Sequence, residues 1–264
     1  MHVEQITLHE QQLVFLAAYL GEGRLIGIED PFQGWLAEMV RDEWNRQLPD
    51  ILAKGYLVPN KDDEYRLSSQ METVVRLCCS PTRWTMVRWV KNTEKQIHIF
   101  VDAEAASAAI LEYSKPMVHI SYYQDYSDNS FRASFISLLD LNDLRKALPD
   151  AFSLMIERSA FERFTEKVAN LENNQFANCV KEYFPGVEGL SFIHALLCRP
   201  EKKALLTTFT FNEDAHPMRM IGLLAGPEGQ LKLEYDEQEG LSQIRISSTS
   251  PDEILNAIID HSVF

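Results

Sequence analysis

Apolar residues in the first third of the chain recur at the three- and four-residue spacing of amphipathic helices. The first helix is expected to begin at Thr7, with Glu10 three residues on as in a capping box, and to end at Gly21. A second helix should break at Pro49, and a third should stop before Pro81. The N-terminal region is therefore predicted to be helical.

Alternation of apolar and polar residues then predicts strands. Four segments of the first half have this two-residue period: 84–90, 96–101, 117–123 and 131–139. The Ala-rich stretch between the second and third segments favours a helix. A capped helix that ends at Pro149 should close this half.

The second half has the same order of elements. One long helix or two shorter ones cover 152–184, and another helix is stopped by Pro200. Four strands follow at 203–211, 217–226, 229–236 and 241–248, and a helix from Ser250 closes the chain. The pattern therefore predicts helix, proline, four strands and capped helix, twice.

An internal repeat would explain this order. At an offset of 119, Leu77, Cys79 and Pro81 fall on Leu196, Cys198 and Pro200, and at an offset of 110 Ile136 falls on Ile246. Chance similarity is the alternative, because helix–proline–strand junctions are common. We predict an α+β fold with a pseudo-twofold repeat, residues 1–149 and 150–264, each with helices and about four antiparallel strands around one central sheet.

Composition narrows the class of protein. The net charge is −14 and the estimated pI is 4.9, with no basic patch, which disfavours nucleic acid as a partner. The chain has neither a signal-peptide layout at its start nor an apolar run of membrane-spanning length, so a cytoplasmic protein is expected. Its four cysteines lie in apolar contexts and should be buried thiols.

Sequence motifs for catalysis are absent. No Walker loop, G-x-G-x-x-G, G-x-S-x-G or H-E-x-x-H occurs. His98 and His119 lie in predicted strands, where they are either a paired metal site or ordinary sheet residues; Asp62–Glu64 suit a solvated turn. We expect no enzyme, no cofactor and no metal, with an enzyme of an unrecognised type as the alternative.

A DNA-binding regulator is a second alternative. Residues 48–69 have the helix, glycine, strand, turn, strand rhythm of a winged helix. The expected wing tip is acidic, and residues 38–100 carry 9 acidic and 10 basic side chains. Phosphate would repel such a wing, so a structural helix and hairpin is the preferred interpretation.

Aromatic residues point to a protein partner. Tyr122 and Tyr123 are adjacent in a predicted strand, so they should lie on opposite faces of the sheet, as should Trp84 and Trp89. A stripe from Phe161 onwards has helical spacing. Each set is either core or a surface that receives a partner's helix.

Five stretches of the chain resemble motifs of one family. They are "ITLHEQQLVFLAAYLG", "ILAKGYLVPNKDDEYRLS", "VVRLCCSP", "LRKALP" and "IRISSTSPDEILNAI". Their order along nearly the whole chain resembles EspG, the cytosolic chaperone family of type VII (ESX) secretion systems. The family often has a Gly-Arg pair in its last hairpin, and here "SQIRIS" has the Arg without the Gly.

The resemblance implies a binding function. EspG-like proteins hold a helical secretion substrate before export, using the central sheet, a loop between strands and the C-terminal helices. Carried over, it implies a partner site that includes the insert 102–116 and the residues Phe176, Val180, Tyr183, Phe184, Tyr122 and Tyr123. The substrate and the oligomeric state are not fixed by the sequence.

Overall fold

A computed structural model describes most of the chain. The described residues are 3–60, 64–89, 96–139, 153–168, 175, 178–179, 182–183, 202–211, 215–226, 229–238 and 241–259. Within these ranges, none of the helices combines the length and apolar content needed to cross a membrane.

Ten strands form one large sheet. Their order across it is β1-β7-β6-β5-β4-β9-β10-β11-β12-β8, antiparallel in every pair whose register is described. The strands are β1 (Val3–His9), β4 (Arg83–Trp89), β5 (Gln96–Asp102), β6 (Ser107–Ser114), β7 (Met117–Tyr123), β8 (Ser153–Glu157), β9 (Lys202–Phe211), β10 (Ala215–Gly226), β11 (Gly229–Gln238) and β12 (Leu241–Ser248).

The helices and one small hairpin complete the fold. The helices are α1 (Glu10–Tyr19), α2 (Ala37–Ala53), α3 (Ser69–Cys79), α4 (Asn129–Leu138), α5 (Arg158–Val168) and α6 (Pro251–Ile259). Strands β2 (Leu57–Pro59) and β3 (Tyr65–Leu67) pair only with each other. The fold class is thus α+β, as the sequence predicts.

The chain divides into two compact units. The first comprises Met1–Met86, Glu94–Phe131 and Thr210–His216, and the second comprises Val87–Thr93, Arg132–Phe209 and Pro217–Phe264. In the first unit, strand register places Leu8 opposite Val118, and Val118 opposite Tyr113. These buried residues belong to a core that also contains the apolar sides of α1 and α3.

One loop of the first unit packs closely on the sheet. Gly27 has φ +78°, and a Cβ placed on it would come within 2.5 Å of the His98 imidazole. His98 is buried and its Nδ1 accepts a hydrogen bond from Trp84 Nε1 at 3.1 Å, and Phe100 stacks on the same ring. Glycine is required here both for the left-handed backbone and for the space.

The second unit packs helices on strands β8 to β12. Ile156, Ile244 and Ile246 are buried, and Phe164 of α5 is fully buried. Helix α6 has a capping box, because Ser250 Oγ accepts from the Glu253 N–H and Glu253 Oε2 accepts from the Ser250 N–H. The predicted capped closing helix is confirmed.

Two predictions of secondary structure for the first half are wrong. Residues 131–138 form helix α4, because buried Phe131 and Phe135 are four residues apart and lie on one helical face. The Ala-rich stretch is mainly strand β6, in which Ala108 and Ala109 are both fully buried. Ile136 and Ile246 therefore lie in a helix and a strand, and the alignment at offset 110 fails there.

Helix starts and breaks also differ from expectation. Strand β1 precedes α1, whose N-cap is His9 with Gln12 rather than Thr7 with Glu10. Helix α2 continues through Pro49, where the sequence predicts a break. Residues 153–157 form strand β8 before α5 begins, where a helix was expected.

The strand order contains the same connection twice. The consecutive strands β4 to β7 pair in sequence and β1 adds to β7, while β9 to β12 pair in sequence and β8 adds to β12. The first copy of the helix–proline–strand junction is α3 followed by β4. Its counterpart at Leu196–Pro200 and the helix expected at 140–150 lie outside the described residues. That the halves 1–149 and 150–264 superpose stays a prediction.

The described cysteines are free thiols. Cys78 and Cys179 are buried and Cys79 is partly buried. Burial raises the pKa of the Cys78 thiol well above its usual range and raises the pKa of Cys79 to about 12. The expectation of buried thiols is confirmed for Cys78 and Cys179, and Cys198 lies outside the described residues.

Candidate functional site

The two predicted sheet tyrosines lie on opposite faces of β7. Tyr122 is 7% exposed and belongs to the core beneath α1 and α3, whereas Tyr123 is 2% exposed and packs edge-on against Phe131 of α4 at 5.1 Å between ring centroids. The opposite orientation is confirmed. Both rings have a packing role in this structure, and their contact with a partner stays a prediction.

The predicted helical site of the second half is described at Tyr183. Its ring lies 5.7 Å from the Phe164 ring of α5, and Lys167 Nζ lies 5.2 Å from the Tyr183 ring centroid. Lys167 also pairs with Glu182 at 2.8 Å, and this hydrogen bond raises the pKa of Lys167. Tyr183 is thus a half-buried ring anchored on α5 under a cation.

The structure does not describe the other predicted site residues near Tyr183. Phe176, Val180 and Phe184 lie outside the described residues. Between them, Cys179 is buried, and burial raises its pKa. Their role in partner binding stays a prediction.

The insert 102–116 is a tight turn followed by a central strand. Asp102 Oδ1 accepts from the N–H groups of Glu104 and Ala105 at 3.0 and 3.1 Å, and the turn ends at Ala106, whose φ is +51°. The turn tip is exposed, β6 beyond it is buried as far as Tyr113, and residues 114–116 at the far end of the insert are exposed again. The portions of the insert that are accessible to a partner are therefore residues 104–106 and 114–116.

The two candidate metal histidines do not meet. His98 pairs in register with Leu111, which pairs with Ile120, whereas His119 pairs with Glu112. The two imidazoles therefore lie on opposite faces of the sheet with β6 between their strands. In the described ranges no three His, Cys, Asp or Glu side chains are grouped so that they could hold a metal ion.

The winged-helix-like segment is a helix and a hairpin that pack into the first core. Leu57 and Leu67 are paired across β2 and β3, and both are buried. The acidic turn residues Asp62 and Asp63 lie outside the described residues. Core packing accounts for this segment, and no described feature of it favours DNA binding.

A row of aromatic rings in the N-terminal region was not predicted from the sequence. Neighbouring rings in the order Tyr19, Trp44, Phe15, Phe32 and Trp35 are separated by 6.0, 5.2, 4.7 and 5.4 Å between centroids. The central ring is buried, and the two end rings are exposed. We call these five residues the aromatic row.

The loop and helix that carry this row are held by local hydrogen bonds. Asp30 Oδ1 accepts from the Phe32 N–H at 2.9 Å, and the Trp35 N–H donates to the Phe32 carbonyl at 2.9 Å. At the other end the Tyr19 hydroxyl donates to the Tyr65 carbonyl at 2.7 Å. The exposed rings are therefore fixed in position.

Exposed apolar side chains concentrate at the same place. Tyr19 is 42% exposed, Trp35 38%, Leu36 70% and Met39 48%. We call the three of them at the start of α2, Trp35, Leu36 and Met39, the apolar patch. A signal in the sequence was "PFQGWLAEM", where four large apolar residues stand around a turn, without the polar residues expected at the start of a surface helix.

The folded chain thus has one large antiparallel sheet flanked by helices, with described surface features suited to protein contact. No protein-family model matches the sequence, and no curated protein matches it. The fold is similar to that of the type VII secretion system chaperone EspG5 of Mycobacterium tuberculosis, whose structure was solved in complex with the PE25-PPE41 dimer.

That similarity extends over almost the whole of both proteins. It covers 97% of this chain and 94% of the EspG5 chain, with a TM-score of 0.65 and 11% sequence identity. The chain therefore has an EspG-like fold, and the predicted resemblance is confirmed at the level of fold.

Proposed function

We propose that this protein is a chaperone or adaptor of type VII secretion that holds a helical secretion substrate in the cytosol before export. The observation that carries the proposal is the near-complete match of its fold to a chaperone that was solved with a bound protein dimer. The function is binding rather than catalysis. Motifs for catalysis are absent from the sequence, and this agrees with that assignment.

The helical region around Tyr183 is the part of the described surface that we assign to this substrate. Phe164 is fully buried beneath Tyr183 and fixes the ring, while Lys167 and Glu182 beside it are exposed. A preorganised aromatic ring bordered by charges loses little conformational entropy when a partner covers it. The undescribed neighbours Phe176, Val180 and Phe184 extend this site in the proposal.

Co-expression tests the proposal. The protein would be produced together with a helical-hairpin protein encoded beside its own gene, purified through a tag on that partner, and titrated by calorimetry. A stoichiometric complex is expected. Absence of a complex with every such neighbour, at micromolar concentrations, would contradict the function.

A matched pair of variants tests the site. Tyr183→Ala should weaken the complex by about tenfold, because truncation of an aromatic anchor typically costs more than about 1 kcal/mol. Tyr235→Ala removes another exposed tyrosine of the same unit and should leave the affinity unchanged. Equal affinities of both variants would move the site away from Tyr183 without removing the function.

A further inference from the structure

Helix α2, in the first unit, buries few of its residues. Of its 17 residues only Ile51 is buried. Single exposed apolar side chains are ordinary on protein surfaces, but here three of them, the apolar patch, lie together at the start of one helix. Helix α2 thus packs on the core along its second half, through Leu48, Ile51 and Leu52, while the apolar side chains at its start are uncovered.

The N-cap of α2 breaks a local rule of helix formation. Leu36 occupies the N-cap position with φ −75° and ψ 150°, and no side-chain hydrogen bond caps the helix. Serine, aspartate or asparagine would satisfy a free N–H there, whereas leucine cannot, and its side chain is 70% exposed. Stability therefore does not explain this leucine, and such local conflicts concentrate at functional positions.

Charged side chains around the patch indicate the sign of the charge that its partner should carry. Exposed carboxylates lie in the preceding loop at Glu29 and Asp30, and on the first turns of α2 at Glu38 and Asp42. Among the described residues neither Glu38 nor Asp42 has an ion-pair partner. The nearby exposed cations are fewer, Arg24 and Arg41.

We propose that the apolar patch at the start of α2 is a docking surface for a basic amphipathic helix of a partner protein. Leu36 and Met39 are one helical turn apart, which is the spacing that fits the side chains of a second helix laid along α2. Trp35 precedes them in the chain, and its ring is held against Phe32 in the aromatic row. The acidic side chains then face the lysines or arginines of the bound helix.

Two other occupants fit the observations less well. A second copy of this chain would bring the same acidic residues together, in a protein whose net charge is already −14. A membrane surface that contains anionic lipids would be repelled by the same carboxylates. The occupant is therefore a basic helix, and the two alternatives are outcomes of the test.

The test uses the full chain and three fluorescein-labelled peptides of 18 residues. One has a leucine face and lysine flanks, the second has glutamate in place of lysine, and the third is the lysine peptide scrambled so that it has no apolar face. Fluorescence anisotropy at low and at high salt measures the affinities. The amphipathic lysine peptide should bind about tenfold more tightly than either control, with an affinity that falls as salt rises.

Leu36→Ser separates binding from folding. It removes the apolar contact, leaves the charge unchanged and supplies the missing N-cap, so affinity should fall about tenfold while the melting temperature stays at or above the wild-type value. Met155→Ala, at an exposed apolar residue of the second unit, should change neither. Tyr183→Ala should keep the peptide affinity, which distinguishes this surface from the proposed substrate site.

Three outcomes would overturn the proposal. The first is equal binding of the scrambled lysine peptide, which would reduce the effect to net charge. The second is unchanged peptide affinity of Leu36→Ser. The third is a dimer in light scattering, or sedimentation with phosphatidylglycerol vesicles, that Leu36→Ser abolishes, which would assign the patch to a second copy or to a membrane.

Discussion

Helices α2 and α3 belong to the same unit but differ in how many of their residues are buried and in how their N-termini are capped. Helix α3 buries five of its 11 residues, and its N-cap Ser68 accepts a hydrogen bond from the Met71 N–H. Helix α2 is longer, buries one residue and begins at an uncapped leucine. Core stability explains the sequence of α3 and of the second half of α2, where Leu48, Ile51 and Leu52 pack, but it does not explain the exposed apolar residues at the start of α2.

The largest expected difference between the two helices is the loss of stability when an apolar residue is replaced by aspartate. Val74→Asp in α3 places a carboxylate where the side chain is fully buried, and should destabilise the protein by about 4 kcal/mol or more. Met39→Asp in α2 should change the free energy of unfolding by less than about 0.5 kcal/mol. Urea denaturation followed by circular dichroism measures both. Equal losses would mean that the start of α2 is part of the core.

An intermediate effect is expected at two glycines of the loop between α1 and α2. Gly27→Ala forces a side chain into the His98 ring at a positive φ and should cost about 3 kcal/mol. Gly34 has φ +83° but open space around it, so Gly34→Ala should cost about 1 kcal/mol, which is the backbone term alone. Thermal unfolding of the two variants measures the difference. Similar melting temperatures would show that the loop moves away from His98 at little cost.

The smallest effect is a change of opposite sign at the two N-caps. Ser68→Ala should destabilise the protein by about 1 kcal/mol, and Leu36→Ser should stabilise it by up to about the same amount. The free energy of unfolding in urea resolves both. A loss of stability in both variants would show that Leu36 packs in a way that its exposure does not reveal.

The sequence predicts elements well where a pattern of neighbouring residues determines the local backbone. The capping box at Ser250, the hairpin between Leu57 and Leu67 and the four strands of the second half are confirmed. Each of these signals depends on residues within a few positions of one another. Such local signals survive folding because no distant contact opposes them.

The errors arise where tertiary packing overrides a local preference. Alanine favours helices, yet Ala108 and Ala109 lie in a strand that is buried on both faces, where small side chains fit. Proline usually ends a helix, but Pro49 stays inside α2, and fully buried Ile51 anchors the following turn. In both cases the residues that pack against the element are distant in sequence, so the local sequence does not reveal them.

For the candidate sites, too, local geometry could be predicted from the sequence and contacts between distant residues could not. Pleat geometry is sufficient to predict that Tyr122 and Tyr123 face opposite sides, but their burial depends on helices far away in sequence. The aromatic row joins rings from α1, the following loop and α2, and only the folded chain shows that the rings are adjacent. Its exposed end at Trp35 could have been suspected from the apolar residues around Gly34.

Gly27 and His98 also have a consequence for comparing this chain with distant relatives. Two independent constraints, backbone handedness and the space taken by the ring, act on position 27, whereas only the second acts on position 98. Among proteins that share this loop, glycine should therefore persist where the imidazole has been exchanged. Any compensating change should appear at the positions of Trp84 or Phe100, which touch the other sides of that ring.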